Sequence, residues 1–280
     1  MKSQADLHLH STASDGIRSP AELVQLSLDV GLRFIALTDH DTTDGVQQAI
    51  DAAWGTSLTV IPGVEISTQA ESRFEIHMLG YHIDYQHESL QESLTRLRRS
   101  RLDRAQRVLD LLARNGCPLS WQRVSALGGD GSLGRPHIAQ AMVEAEYVDS
   151  VEMAFRRYLG RGGAAYVPRA KLSPQEAIDL ILASGGVPVL AHPRHVIEHI
   201  PALVDSGLVG IEAYYNEYPE PECTFLLGLA EKHGLIVTGG TDFHGEGITS
   251  ALAPGAVYVP LSAVEDLRSR AERIANRCRA

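Results

Sequence analysis

Cysteine is scarce: Cys117, Cys223 and Cys278 are the only three among 280 residues, far apart and with no Cys-x-x-Cys pair. That spacing offers neither a disulfide framework nor a thiolate zinc knot, and free thiols of this kind point to a reducing compartment. Lysine is equally rare, with Lys2, Lys171 and Lys232 making up the whole set. Positive charge is outweighed, since 35 acidic residues against 25 basic ones leave a formal net charge of −10. Such a balance excludes broad, non-specific attraction to duplex nucleic acid or an anionic membrane. It leaves room for a phosphorylated substrate in a locally positive pocket. No apolar run is long enough to cross a bilayer. The first motif is already under way at His8, so no signal peptide is expected ahead of it and the expected location is the cytoplasm. Nothing in the chain calls for an obligate protein partner.

What is present is ordinary for a globular protein: 44% hydrophobic and 21% charged residues. A chain of this length buries a substantial core and needs neither disulfides nor structural zinc to fold.

Short apolar runs alternate with amphipathic helical patterns, which predicts βα units and a parallel sheet or barrel. The expected strands are Ala5 to Leu9, Phe34 to Leu37, Leu58 to Ile61, Phe74 to Leu79, Val187 to Ala191, Val209 to Ala213 and Leu235 to Thr238. Two helices open with the same signature, Ser19-Pro20-Ala21-Glu22 and Ser173-Pro174-Gln175-Glu176, each with a capping serine, proline at N1 and glutamate closing a capping box. Gly31 ends the first of these helices, and a last helix is expected to open at Ser262. From about Glu88 to Pro168 the alternation stops and helices with glycine-rich loops take over. The simplest reading is an α/β barrel formed by residues 1–95 and 171–280, with a helical insertion at residues 96–170.

His8 and His10 are separated by one residue on an expected strand, so both face the same way. A lone pair of this kind is also compatible with a surface position. The case strengthens because possible ligands recur near the ends of other strands: Asp15, His40, Glu65, His77, His192, Asp242 and His244. Groups that act together in α/β barrels gather where the strand ends converge. By contrast, His82, His87, His199 and His233 fall in loop or helix patterns and read as ordinary surface residues.

The segments Asp6-Leu7-His8-Leu9-His10, Thr38-Asp39-His40, Gly63-Val64-Glu65, Ile76-His77, Ala191-His192-Pro193 and Thr241-Asp242-Phe243-His244 resemble, in this order, the PHP family, named for its polymerase and histidinol phosphatase members. The resemblance implies a distorted (β/α)7 barrel, with seven βα units, holding two or three ions. It implies a first ion on His8, His10, Glu65 and Asp242. A second would be bridged through Glu65 to His77 and His192, and a third would sit on Asp15, His40 and His244. Trinuclear histidinol-phosphatase relatives have a histidine where this chain has Asp15, so the third position departs from their pattern.

The donor types fit this without the family. Imidazole and carboxylate without thiolate suit Mn²⁺ first, with Zn²⁺ or Fe²⁺ as alternatives. Three carboxylates facing two or three divalent ions leave a pocket that attracts an anion such as phosphate. Ions roughly 3.5–4 Å apart activate a shared water as hydroxide and hold attacking and leaving oxygens in line.

Candidate phosphate binders are Thr12, Arg135, Lys171, Arg194 and His195, with His137 beside Arg135. Arginine's fork matches phosphate, and Lys171 lies beside an expected helix N-terminus that favours anions. His195 is also a candidate proton donor to a leaving alkoxide, because imidazole titrates near neutrality. Asp39 reads as support for its neighbour His40. The arginines at 96, 98, 99, 101, 104 and 107 read as a solvated helix face paired with Glu92 and Asp103, the alternative being a guide for an oligonucleotide backbone.

Within the family, the short chain with its insertion and Gly134-Arg135-Pro136-His137 resembles a nucleotide phosphoesterase subgroup. That resemblance implies removal of the 3′-phosphate from 3′,5′-bisphosphonucleotides (pAp to AMP and phosphate). It also implies 5′→3′ exonuclease action on short RNA or DNA oligonucleotides. The competing readings are a histidinol-phosphate phosphatase, an amidohydrolase and an inactive metal-binding accessory module. Many binuclear amidohydrolases bridge their ions with a carboxylated lysine, whereas here no lysine lies between Lys2 and Lys171.

Overall fold

A computed structural model describes residues 3–69, 75–128, 134–168, 172–246 and 253–278. Two compact units make up the chain, Met1–Ser93 with Lys171–Ala280, and Leu94–Ala170. The strands are β1 (Ala5–Leu9), β2 (Phe34–Leu37), β3 (Thr59–Thr68), β4 (Ile76–Tyr81), β5 (Val187–Leu190), β6 (Gly210–Tyr215) and β7 (Ile236–Gly240). The helices up to residue 154 are α1 (Pro20–Val30), α2 (Val46–Ala53), α3 (Glu88–Arg114), α4 (Trp121–Gly128), α5 (Arg135–Glu144) and α6 (Val151–Ala154). After these come α7 (Pro174–Ala183), α8 (Ile200–Asp205), α9 (Glu220–His233) and α10 (Leu261–Cys278).

In the first unit the seven strands pair in sequence order. The sheet nearly closes on itself, because His10 N–H donates to the Phe243 carbonyl at 3.0 Å just beyond β7. Glycine makes this approach possible: a Cβ on Gly240 would stand 2.5 Å from the Cβ and N of His8. The result is a distorted seven-stranded barrel with helices around it. Leu7, Ala36, Leu79, Val187 and Val189 pack in one buried cluster, and Leu9, Leu23, Ile35, Leu37 and Phe243 in another.

This is the distorted barrel expected from the sequence, and its sheet is mixed rather than wholly parallel, because β4 runs antiparallel to both β3 and β5. Only residues 69–75 join β3 to β4, too few for the crossover that a parallel pair requires. Strand β3 also continues well beyond Ile61, through Pro62 and Gly63 to Thr68. Its first half pairs with β2 as far as Pro62, and from Gly63 onward it pairs with β4. A Cβ on Gly63 would lie 2.9 Å from the Leu37 carbonyl oxygen and 3.1 Å from that of Gly80, so the change of partner requires glycine there. Strand β4 begins at Ile76 and ends at Tyr81; Phe74, expected as its start, lies outside the described residues.

The helix starts follow the capping chemistry read from the sequence. Ser19 accepts from the Glu22 N–H while the Glu22 carboxylate accepts from the Ser19 N–H, and Ser173 with Glu176 repeats the arrangement. Gly31 closes α1 in the left-handed region at φ 88°. Helix α10 starts at Leu261, so Ser262 lies inside its first turn. His82 is not a plain surface residue. It follows β4 at φ 54° and is half-buried, with Nε2 buried and without a hydrogen bond.

The second unit is helical among its described residues and has its own core, including Val108, Leu109, Leu112, Val124, Ile138, Met142 and Leu159. Arg104 Nε donates to the Val167 carbonyl at 2.7 Å, which ties the arginine-rich helix to a later segment of the same unit.

Candidate metal centre

Alternation on β1 places Asp6, His8 and His10 on one face, and all three are fully buried. Asp6 anchors β1 to the chain after β7: its carboxylate accepts from Thr241 N–H at 3.0 Å, the Thr241 hydroxyl at 2.7 Å and Gly255 N–H at 2.8 Å. Burial raises the Asp6 pKa to about 6 despite these donors. The loop after β1 hangs on Asp39. That carboxylate accepts from Ser11 N–H and Ser11 Oγ, both at 2.7 Å, and from Ser14 Oγ at 2.6 Å. Asp15 is thereby presented to His244, whose Nε2 is 3.3 Å from Asp15 Oδ1.

Glu65 is the centre of the arrangement. Its Oε2 lies 3.3 Å from Nε2 of His8, 3.3 Å from Nε2 of His10 and 3.0 Å from Nδ1 of His40. Its Oε1 lies 2.9 Å from Nδ1 of His77 and 3.2 Å from Nε2 of His192. His77 is the second residue of β4. Because that strand is reversed, its beginning lies beside the same donors as the far ends of the parallel strands. Asp242 Oδ1 completes the set on the other side, 3.3 Å from Nε2 of His8 and 3.0 Å from that of His10.

Among the described residues, three groups of donor atoms are close enough to hold ions, each within 4.8 Å: His8–His10–Glu65–Asp242, His40–Glu65–His77, and His10–Asp15–His40–His244. All nine residues expected as ligands therefore converge, His192 entering through its contact with Glu65 Oε1. The grouping differs from expectation in two details. His10 joins the Asp15 group, and His40 also faces Glu65.

The atoms fit cations. Nε2 of His8, both ring nitrogens of His10, Nδ1 of His40, Oε2 of Glu65 and Oδ1 of Asp242 are buried and make no hydrogen bond. Buried donor atoms that converge without hydrogen-bond partners are costly unless a positive charge lies among them. Donors about 2.0–2.2 Å from a shared ion at near-tetrahedral angles stand about 3.3 Å from one another, which matches the separations in the first group.

The protonation balance shows the same charge pattern. Burial opposes ionisation of Glu65, yet His40, His8 and His77 hold its carboxyl well below the usual range. Asp242 is held down against burial by His8 and His10. Burial would lower His77 and His244 as well. Glu65 prevails at His77, and Asp15 with Asp242 at His244, so both rise to about 9. His10 falls to about 3 through burial and the neighbouring His244 and His40, which keeps it a neutral donor.

Backbone strain collects here too. His192 at φ 28°, Asp242 at φ 51° and Asp41 at φ 53° are non-glycine residues with positive φ.

The expected substrate contacts fare differently. The Arg194 guanidinium forks onto Glu222 at 2.7 and 2.6 Å, donates to the Glu217 carbonyl and lies 4.7 Å over the Tyr218 ring. Those contacts satisfy it within the fold. His195 is exposed at the end of a short 3₁₀ turn that begins directly after His192, and Thr12 is exposed in the loop after His10. Arg135 and His137 belong to the second unit. There Arg135 donates to the Leu159 carbonyl and lies over Phe155, while His137 Nδ1 accepts from the Gly134 N–H. Lys171 lies outside the described residues.

Two residues of β6 were missed by the sequence reading. Glu212 is 3.0 Å from His8 Nδ1 and accepts from the His192 N–H at 2.9 Å, and Tyr215 donates to Asp242 Oδ2 at 2.9 Å. A fully buried glutamate inside an apolar strand is the signal that could have revealed the first of them.

Comparisons with known proteins identify the family. Residues 6–159 match the PHP domain model. The 5′-3′ exoribonuclease Rnm of Salmonella typhimurium is 34% identical over 85% of this chain and 84% of its own length. A 3′,5′-nucleoside bisphosphate phosphatase of Chromobacterium violaceum is 31% identical over 86% of this chain and 87% of its own. A crystal structure from Bifidobacterium adolescentis, described as a metal-dependent phosphoesterase, superposes with a TM-score of 0.83 at 32% identity and covers 96% of both chains. A barrel whose donors meet in this order, with such relatives along most of its length, places the chain in the PHP domain family as a metal-dependent phosphoesterase.

Proposed function

We propose that this chain removes the 3′-phosphate from 3′,5′-bisphosphonucleotides, converting pAp to AMP and phosphate. The observation that carries the metal-dependent chemistry is the set of buried, unbonded donor atoms around Glu65. The nucleotide substrate is supported by the bisphosphate phosphatase relative, similar along nearly the whole of both chains. A second reading, 5′→3′ exonuclease action on short oligonucleotides, is favoured by the exoribonuclease relative. The two are compatible, since both cleave a phosphoester of a nucleotide.

In this reading His8, His10, Glu65 and Asp242 hold one ion, Glu65, His77 and His192 a second, and Asp15, His40 and His244 a third. Divalent ions there, Mn²⁺ in this proposal with Zn²⁺ or Fe²⁺ as alternatives, supply Lewis acidity that acidifies water and offsets phosphoryl charge. The chain's residues orient and exchange protons. His195 gives a proton to the departing 3′-oxygen, and the Thr12 hydroxyl contacts phosphate. Arg135 and Lys171 keep a phosphate-binding role on the chemistry of their side chains. The setting is the cytoplasm, in keeping with the free thiols of Cys117 and Cys223. An amidohydrolase bridged by a modified lysine is disfavoured, because a glutamate occupies the centre of the donor set.

The test is phosphate release from pAp, histidinol phosphate and simple mononucleotides by ion-reconstituted protein, with ion content measured alongside for Glu65→Ala. Preference for pAp and loss of ions from the variant are expected. Turnover of histidinol phosphate alone would overturn the substrate, and full ion content in Glu65→Ala would overturn the ligand set.

A further inference from the structure

Every strand of the barrel but one delivers a proposed ligand, either from within the strand or from the residues just after it. The exception is β6. It brings a buried carboxylate, Glu212, between two residues assigned to different ions. Burying a carboxylate among apolar neighbours such as Ile211 and Ala213 is costly unless its oxygens are bonded. Here each oxygen has one partner. Oε1 is 3.0 Å from Nδ1 of His8, and Oε2 accepts from the backbone N–H of His192 at 2.9 Å.

We propose that Glu212 is a positioning residue that sets the His8 ring and the His192 backbone together, so that the ions held by these two histidines bind as a linked pair. The inference rests on the ligand assignment proposed above. A carboxylate oxygen accepts, so the His8 ring carries its hydrogen on Nδ1. In the neutral ring that an ion requires, Nε2 then keeps its lone pair, and it is this atom that faces Glu65 Oε2 and Asp242 Oδ1, each at 3.3 Å. The His192 N–H belongs to a residue held at φ 28°, a conformation that needs an outside restraint. One side chain therefore fixes the tautomer of one ligand and the strained backbone of another. Its hydrogen-bonding partners among the described residues are His8 and His192, and neither belongs to the group formed by His10, Asp15, His40 and His244.

Glutamine is the discriminating substitution, because it keeps the volume and offers one acceptor and one donor. If its oxygen takes the fixed His192 N–H, its NH₂ faces His8 and drives the ring hydrogen to Nε2, where an ion should bind. If it is turned round, its NH₂ meets the His192 N–H instead. Either way one of the two ligands is lost.

The experiment is stepwise ion binding by calorimetry, with Mn²⁺ and with Zn²⁺, on wild type and Glu212→Gln, together with thermal unfolding of both ion-free proteins. The expected result is two steps weakened roughly 10–100-fold, with the step carried by Asp15 and His244 unchanged. Equal affinities in wild type and variant overturn the proposal, as does uniform weakening of every step with a matching loss of ion-free stability. A wild type that binds no ions would sink the ligand assignment itself, a separate outcome. Should the variant not fold, long-range ¹H–¹⁵N spectra of zinc-loaded wild type still decide. The His8 hydrogen is expected on Nδ1, and finding it on Nε2 overturns the proposal.

Discussion

The phenol of Tyr215 donates to Oδ2 of Asp242 across 2.9 Å, while the other oxygen, Oδ1, stands between His8 and His10. The two oxygens of one carboxylate thus have separate tasks. Burial, reinforced by Asp242 and Glu212, pushes the Tyr215 pKa far upward, so the hydroxyl stays protonated and remains a donor.

Replacing Tyr215 with phenylalanine releases Oδ2 and lets the carboxylate turn. Ion affinity is expected to fall about tenfold, with stability reduced by no more than about 2 kcal/mol. Calorimetric titration beside thermal unfolding checks both, and undiminished affinity would refute the role.

Asp39 makes three short contacts to the loop that carries Asp15. Asp39→Ala leaves the Ser11 N–H and two hydroxyls without that acceptor, at a cost of about 3 kcal/mol. The ion involving Asp15 should be lost first, which ion counting on the folded variant would show. Equal loss from all positions would contradict this.

Arg194 and Glu222 form a forked pair that is about one-third exposed on the arginine side. Solvent screening limits its worth to about 1 kcal/mol. Arg194→Ala is therefore expected to lower stability slightly and to leave KM for pAp within about twofold of wild type. A large rise in KM would restore the phosphate-binding role.

Ion binding should tighten with pH. His77 and His244 rise to about 9 without ions, against burial, through Glu65 at the first and through Asp15 with Asp242 at the second. Ions need these imidazoles neutral, so below about 9 each displaces protons and affinity falls by up to tenfold per pH unit per proton. The ion-free protein behaves oppositely. Its pKa values are raised above the unfolded value near 6.5, so their contribution to stability is complete below that pH and lost as pH climbs through about 9. Titrations at pH 6.5, 7.5 and 8.5 in buffers of different ionisation enthalpy measure the released protons. A flat affinity across that range would count against it.

The histidines on β1 were legible because a period of two needs no knowledge of partners, and the serine caps were legible because they act within four residues. Glu212 was hidden because its partners, His8 and His192, are distant in sequence. The Arg194–Glu222 pair was hidden for the same reason, since Glu222 lies on the later helix α9. The reversal of β4 could have been read from the short link at residues 69–75. The passage of β3 through Pro62 and Gly63 could not, since proline and glycine usually mark a strand's end and only the change of partner explains them here.

The donors differ in how readily they can let go. Glu65 sits on a strand with a side chain 1% exposed, whereas Asp15 rides on a loop and is 33% exposed. An ion leaving the Glu65 side must wait for the barrel wall to open, while one beside Asp15 needs only a carboxylate swing into water. Exchange should therefore run on two clocks, with a chelator stripping one ion quickly and the others slowly, so that a drop in ion supply would be felt at Asp15 before anywhere else.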